Sequence, residues 1–260
     1  MLQRLWLLKL GWDDEVPGEV NQQWQQFAKA MPILDTLRIP RHVIGTNPKY
    51  LELHIFTDAS ETAYGACVYV RTVNTDGTIT CVLLCSKSKV APLKPVSIPR
   101  LELCGALLGA RLYQKVCESL RCQFHNVTFW CDSTIVLAWL RMPPNTLKTF
   151  VQNRVVEIHE LTKEFSWRHV SGKENPADLV SRGVRLEDLS SCTHWWKGPS
   201  FLREFSGTVA GSDQYFEVPI DSLPELKSKP THSFVTESNN MKSIFPFHRF
   251  SKFNRMKRAA

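Results

Sequence analysis

The sequence predicts an α/β domain on a five-stranded mixed sheet: three antiparallel strands, then parallel βα units, with helices on both faces. Three observations predict it. Short alternating apolar runs crowd residues 50 to 90, the period of half-buried strands. From Pro99 to about Leu120, apolar residues recur at three- and four-residue steps, as on a helix lying against a sheet. Beyond it, strand-like runs alternate with helical ones, the order that parallel pairing produces.

Each element can be justified in turn. Residues 1–49 form a lead with Trp6, Trp12 and Trp24 and prolines at 17, 32, 40 and 48. Glu19 to Ala30 reads as one amphipathic helix, and the prolines make the rest extended or turn-like. Residues 50–183 are the organised domain. Leu51 to Thr57, Tyr64 to Thr72 and Thr78 to Ser86 are strands, the last two joined at the turn signal Asn74-Thr-Asp-Gly77. In the long helix, Leu101, Cys104, Leu108, Leu112 and Val116 make the apolar stripe. Asn126 to Cys131 is the fourth strand. A short helix from Ser133 to Leu140 follows, stopped by Pro143-Pro144. Leu147 to Leu161 is helical, and Phe165 to Val170 is the fifth strand. Asn175 is placed to cap a last helix with Pro176 at its first position. Residues 184–260 lose this regularity as Ser, Thr and Pro accumulate. They read as a linker, partly disordered, with a basic end carrying Lys242, Arg249, Lys252, Arg255, Lys257 and Arg258.

Composition narrows the function classes. At 43% hydrophobic, the 260 residues can bury a core, which excludes a disordered protein. The net charge of +7 is compatible with a polyanionic partner. Arg4 and Lys9 interrupt the apolar N-terminus, unlike a signal peptide, and no run reaches the ~18 apolar residues of a membrane span. The expectation is an intracellular protein of cytoplasm or nucleus, with no membrane partner. Most of the eight cysteines stand in apolar runs, as in a reducing compartment. Cys81/Cys85 and Cys117/Cys122 are close pairs without a histidine pair at finger spacing, which argues against structural zinc.

Four acids carry the chemistry. Asp58 and Asp132 end apolar strands, while Glu102 and Asp178 begin helices. Singly, each has an ordinary explanation as a turn, cap or helix-dipole residue. Together they can meet at one edge of a layered sheet, where sites gather. Four converging carboxylates repel unless cations neutralise them. Mg²⁺ prefers such oxygens, and two ions about 4 Å apart serve phosphodiester hydrolysis.

The segments around these acids are Phe56-Thr-Asp-Ala-Ser60, Ile98-Pro-Arg-Leu-Glu-Leu103, Trp130-Cys-Asp-Ser-Thr134 with Val136-Leu-Ala-Trp-Leu140, and Val170-Ser-Gly-Lys-Glu-Asn-Pro-Ala-Asp-Leu-Val-Ser-Arg182. In this order the chain resembles the RNase H region of retrotransposon polyproteins, most closely the BEL/Pao type of long-terminal-repeat elements. Leu10-Gly-Trp-Asp-Asp and Ile39-Pro-Arg41 look like the connection that follows reverse transcriptase. His194-Trp-Trp-Lys-Gly-Pro-Ser-Phe-Leu202 looks like the segment after RNase H, and the basic end like the approach to integrase. No paired-aspartate polymerase motif lies upstream and no integrase follows, which reads as a polyprotein fragment or a gene derived from one.

The resemblance implies an RNase H-like fold and hydrolysis of the RNA strand of an RNA–DNA hybrid by an endonuclease using two Mg²⁺ ions, or Mn²⁺. It implies that Asp58, Glu102, Asp132 and Asp178 are the catalytic metal ligands, with Asp58 bridging both ions, Glu102 and Asp132 completing one shell and Asp178 the other. Ser60, Ser133, Thr134 and Asn175, each beside a metal acid, are candidate donors to RNA 2′-hydroxyls, with turn or cap roles as the alternative. Lys87, Lys89 and Lys94 are candidates for phosphate contacts. Other expected partners are the reverse transcriptase and integrase modules of the same polyprotein. The chain departs from many cellular relatives in one respect: the loop before the last aspartate, Gly172-Lys-Glu-Asn175, holds no histidine. His169 lies just before it on the expected strand, where a structural role is the simpler reading. The alternative function is an inactive nucleic-acid-binding remnant. A third reading is a protein–protein module using the Trp-rich lead and His194-Trp-Trp196.

Overall fold

The computed structural model describes residues 5, 7–120, 122–204, 219 and 222–227. Its centre is a five-stranded sheet in the order β3-β2-β1-β4-β5. The strands are β1 (Pro48–Ala59), β2 (Ala63–Asn74), β3 (Ile79–Val90), β4 (Asn126–Cys131) and β5 (Ser166–His169). β1, β2 and β3 pair antiparallel, whereas β4 runs parallel to β1 and β5 parallel to β4. The mixed α/β class expected from the sequence is the class found. The β2–β3 hairpin closes where the turn signal stands. Gly77 takes a φ of 84° there, and Asn74 N–H donates to the Thr78 carbonyl at 2.9 Å.

α1 (Gly18–Ala30) is the helix of the lead, and of its residues only Val20 is buried. Helix α2 (Ile98–Ser119) starts after Ser97 with Pro99 in its first turn. It presses its apolar stripe onto β1 and β2, aided by two glycines one turn apart. A Cβ at Gly105 would stand 2.9 Å from the Asp58 carbonyl oxygen, and one at Gly109 2.6 Å from Thr57 Cγ2. That close approach sets Glu102, less than one turn earlier, beside the end of β1. Helices α3 (Thr134–Arg141) and α4 (Thr149–Leu161) lie on the same face of the sheet. Leu103, Trp139, Leu147, Val151 and Ile158 are fully or almost fully buried between them. Truncating one of these leucines to alanine removes about 2–5 kcal/mol.

The other face is covered by the chain after β5. It carries α5 (Asp178–Arg182), α6 (Leu186–Leu189), α7 (Thr193–Lys197) and 3-10 turns at Gly172–Glu174 and Ser200–Leu202. Phe56, Cys67, Tyr69 and Trp130 of the sheet meet Ala177, Trp195, Phe201 and Leu202. Tyr69 Oη donates to the Trp195 carbonyl at 2.7 Å, and Arg71 Nε to the Leu202 carbonyl at 2.7 Å. This corrects the expectation of an irregular linker from residue 184. The described part of that stretch is a cover for apolar sheet residues that would otherwise face water. Further on, Leu226 bridges Leu147 antiparallel, Trp139 Nε1 donates to the Pro224 carbonyl at 2.9 Å, and Arg100 grips Glu225 with two 2.9 Å bonds. The basic end, residues 228–260, lies outside the described residues.

A second correction concerns the last helix. It begins at Asp178, not at Asn175-Pro176. Asn175 Oδ1 accepts from Ala177 N–H at 3.1 Å, so the asparagine closes a turn before the helix instead of capping it. All eight cysteines are free, and Cys67, Cys81 and Cys131 are buried. No described helix is long and apolar enough to cross a membrane.

Candidate metal and nuclease site

The register of the two central strands builds the site. Thr57 of β1 stands opposite Cys131 of β4 where that pairing ends, so Asp58, still paired to Gly65 of β2, and Asp132, just past β4, stand next along the two strands. α2 brings Glu102 to the same edge, and α5 brings Ser181 against Asp58. Asp58 is 2% exposed and Glu102 8% exposed. Asp178 lies at the rim, its side chain 39% exposed and paired with Arg182 one turn later.

The negative charge of this edge is only partly compensated, by Arg182 and His169. Burial pushes Asp58 up to about 7; the charges of Asp132 and Asp178 add to that, while the Ser181 hydroxyl and Arg182 oppose it. Burial lifts Glu102 to about 9, with Asp132 and Asp58 adding. Burial raises Asp132 as well, against the pull of its own backbone N–H, the Asn175 amide, a bond with Asp58 and the charge of His169. Both carboxyls are thus held above their ordinary range, burial being the first cause for each. Two carboxylate oxygens, Glu102 Oε2 and Asp132 Oδ1, are buried with no hydrogen-bond partner. A buried acceptor without a donor costs roughly 1–3 kcal/mol, so this edge is held open at the expense of stability.

Other nominated residues fall into different roles. Ser60 Oγ donates to the Ser181 carbonyl at 2.7 Å and accepts from Thr62 and Ala63 N–H, so it ties the β1–β2 turn to α5. Ser133 caps α3, its hydroxyl accepting from Val136 N–H at 3.4 Å. Asn175 is 1% exposed and donates to the Thr57 carbonyl at 3.0 Å. Each of these three makes a turn, cap or strand-end bond in the fold. Thr134 opens α3, partly exposed beside Asp132. Lys87 and Lys89 are exposed on edge strand β3 and Lys94 in the loop after it. Lys89 lines a cleft with Tyr64, Arg111, Asn153 and Arg154. His169 ends β5, its charge felt at Asp132. In the His194-Trp-Trp196 segment, Trp195 packs on the domain and Trp196 Nε1 donates to the Leu189 carbonyl at 2.8 Å.

Sequence reasoning assigned no role to Ser181 or Arg182, although both stand in the Asp178 motif. It also passed over Gly105 and Gly109, whose one-turn spacing on the helix face is the readable sign of close packing. From sequence alone Cys131 reads as a buried hydrophobe. Its sulfur lies with carboxylate oxygens of Glu102 and Asp132 in a group whose members are all within 4.8 Å of one another. Burial first, then the charges of Glu102 and Asp132, drive its thiol far above the ordinary range.

Residues 1–133 match the Pao retrotransposon-like RNaseH-like domain. The chain belongs to that family. In this Pao RNaseH-like chain the family match takes in Asp58, Glu102 and Asp132 and ends before Asp178. No curated protein matches it. Among solved structures it is similar to the N-terminal RNase H domain of a Mycobacterium tuberculosis protein, at 15% identity over 54% of this chain and 96% of the other, with a TM-score of 0.37. RNase H1 of Halobacterium salinarum matches at 15% identity over 55% of this chain and 99% of that one, with a TM-score of 0.32. LC11-RNase H1, isolated from compost and solved in complex with an RNA/DNA hybrid, matches at 13% identity over 54% and 99%, with a TM-score of 0.35.

Proposed function

We propose that the chain hydrolyses the RNA strand of RNA–DNA hybrids, using divalent cations held by Asp58, Glu102, Asp132 and Asp178. One observation carries this reading: a retrotransposon RNaseH-like edge keeps Glu102 Oε2 and Asp132 Oδ1 buried and unpartnered beside the buried Asp58. Hard oxygen donors packed too closely to ionise together fit Mg²⁺ or Mn²⁺. Bound there, such ions supply water activation and stabilise the leaving oxygen of a phosphodiester.

The chain's own residues prepare that chemistry. Ser181 and Asn175 restrain the carboxylates of Asp58 and Asp132. Arg182 holds Asp178 at the rim and lessens the crowding of negative charge. Burial lifts Glu102 to about 9, so a cation held there would release its proton and binding would be linked to pH. Thr134, at the lip, is the candidate best placed for a sugar hydroxyl, while Lys87, Lys89 and Lys94 offer sequence-independent phosphate contacts. The earlier candidates Ser60, Ser133 and Asn175 act from beneath, through the turns that hold the acids.

The test uses the whole chain and its Asp58→Asn variant with a hybrid labelled on each strand, in Mg²⁺ and in chelator. The expected result is cleavage of the RNA strand alone, lost in chelator and reduced roughly a thousandfold or more in the variant. Binding of the hybrid without cleavage by the folded wild type would overturn the nuclease reading in favour of a binding remnant.

A further inference from the structure

Helix α5 delivers two things to the site. Asp178 is one. Ser181, one turn later and 2% exposed, is the other. Its hydroxyl has a single hydrogen and two acceptors in reach: Asp58 Oδ2, and the Asp178 carbonyl at 3.2 Å within its own helix. A bond to a carboxylate is about twice as strong as one to a neutral carbonyl, so the hydrogen goes to Asp58. The two residues are 123 positions apart, so the bond joins the final helix to the central strand.

The placement of Ser181 is itself braced. Its carbonyl accepts from Ser60 Oγ at 2.7 Å and from Thr62 Oγ1 at 3.5 Å, both in the β1–β2 turn that follows Asp58. Its neighbour Val180 occupies the space above Gly65, the residue paired with Asp58 across the sheet, where any Cβ would collide with it. Strand end, turn and helix thus close a loop of contacts around one carboxylate oxygen. A hydroxyl needed only for helix stability would have satisfied itself on the Asp178 carbonyl.

We propose that Ser181 is a positioning residue of the cation site: its hydroxyl, bonded to Oδ2, fixes the rotation of the Asp58 carboxylate. This rests on the metal-site reading above. Side chains that orient a metal ligand contribute roughly ten- to a hundredfold in metal affinity. Removing the hydroxyl therefore loosens Asp58 and weakens cation binding without touching a cation.

The experiment is Mn²⁺ titration of the full 260-residue chain, read by the electron paramagnetic resonance of free Mn²⁺, with a thermal melt of each sample. The proteins are wild type, Ser181→Ala, Ser181→Thr, Asp58→Asn and the Ser181→Ala/Asp58→Asn double variant. Ser181→Ala is expected to weaken Mn²⁺ roughly ten- to a hundredfold while still folded. Ser181→Thr, which keeps the hydroxyl, should recover most of that loss. In the Asp58→Asn background Ser181→Ala should add little, because its effect travels through Asp58. Wild-type affinity in folded Ser181→Ala overturns the proposal, as does a full additional loss in the double variant. Should Asp58→Asn itself bind Mn²⁺ as wild type does, the metal-site reading fails and the Ser181 role falls with it.

Discussion

Strand β1 buries acidic chemistry at both of its ends and treats the two differently. Near its start, Glu52 meets Arg71 at 2.6 Å, and Arg71 also donates to the Leu202 and Glu204 carbonyls. His54, fully buried, accepts from Trp130 Nε1 at 3.2 Å on Nδ1, which leaves its ring proton on Nε2, 3.5 Å from Glu52. Burial pushes Glu52 up, yet His54 and Arg71 outweigh it and hold the carboxyl below its ordinary range. At the other end the described cation acting on Asp58 is the exposed Arg182, and burial drives the carboxyl to about 7. One end is neutralised from within the chain and is structural. The other is not, in keeping with the proposal that a cation from outside supplies the charge there.

The largest effect on stability should come from breaking the paired end. Arg71→Ala leaves Glu52 without its cation and two carbonyls without a donor, at about 3–5 kcal/mol in urea unfolding. The folded fraction should still bind Mn²⁺ as wild type does. A loss under about 1 kcal/mol would mean that the pair is incidental.

The unpaired end should show itself through pH. Asp58 in the fold is raised above its ordinary 3.8, and Glu102 above its ordinary 4.5. The unfolded chain therefore releases these protons first as pH rises. The stability present below about pH 4 is lost through about 7 for Asp58 and about 9 for Glu102. In chelator at pH 7 to 8, Asp58→Asn should melt a few degrees above wild type, and the gain should vanish near pH 4. Mg²⁺ should narrow the gap by stabilising only the wild type. A wild type that out-melts the variant in chelator at pH 8 would contradict the only partly compensated edge.

Much of this was legible in the sequence because local chemistry carried it. Alternating runs marked the strands of the sheet, and the stripe from Leu101 to Val116 marked α2. Asp58 and Asp132 were recognisable as residues ending apolar strands. What escaped was non-local. Ser181 bonds across 123 positions, and nothing near it announces that partner. Helices of four and five residues, such as α6 and α7, are too short to show a period, so the cover made by Trp195 and Leu202 read as linker. The start of α5 was misplaced because an asparagine closing a turn and one capping a helix use the same side-chain bond.

The most direct measurement is anomalous scattering from Mn²⁺ soaked into crystals of the chain. Peaks are expected against Asp58, flanked by Glu102 and Asp132 on one side and Asp178 on the other, and none beside Glu52 and Arg71. Mn²⁺ that is absent from the Asp58 edge at saturating concentration, with that edge open to solvent, would contradict it.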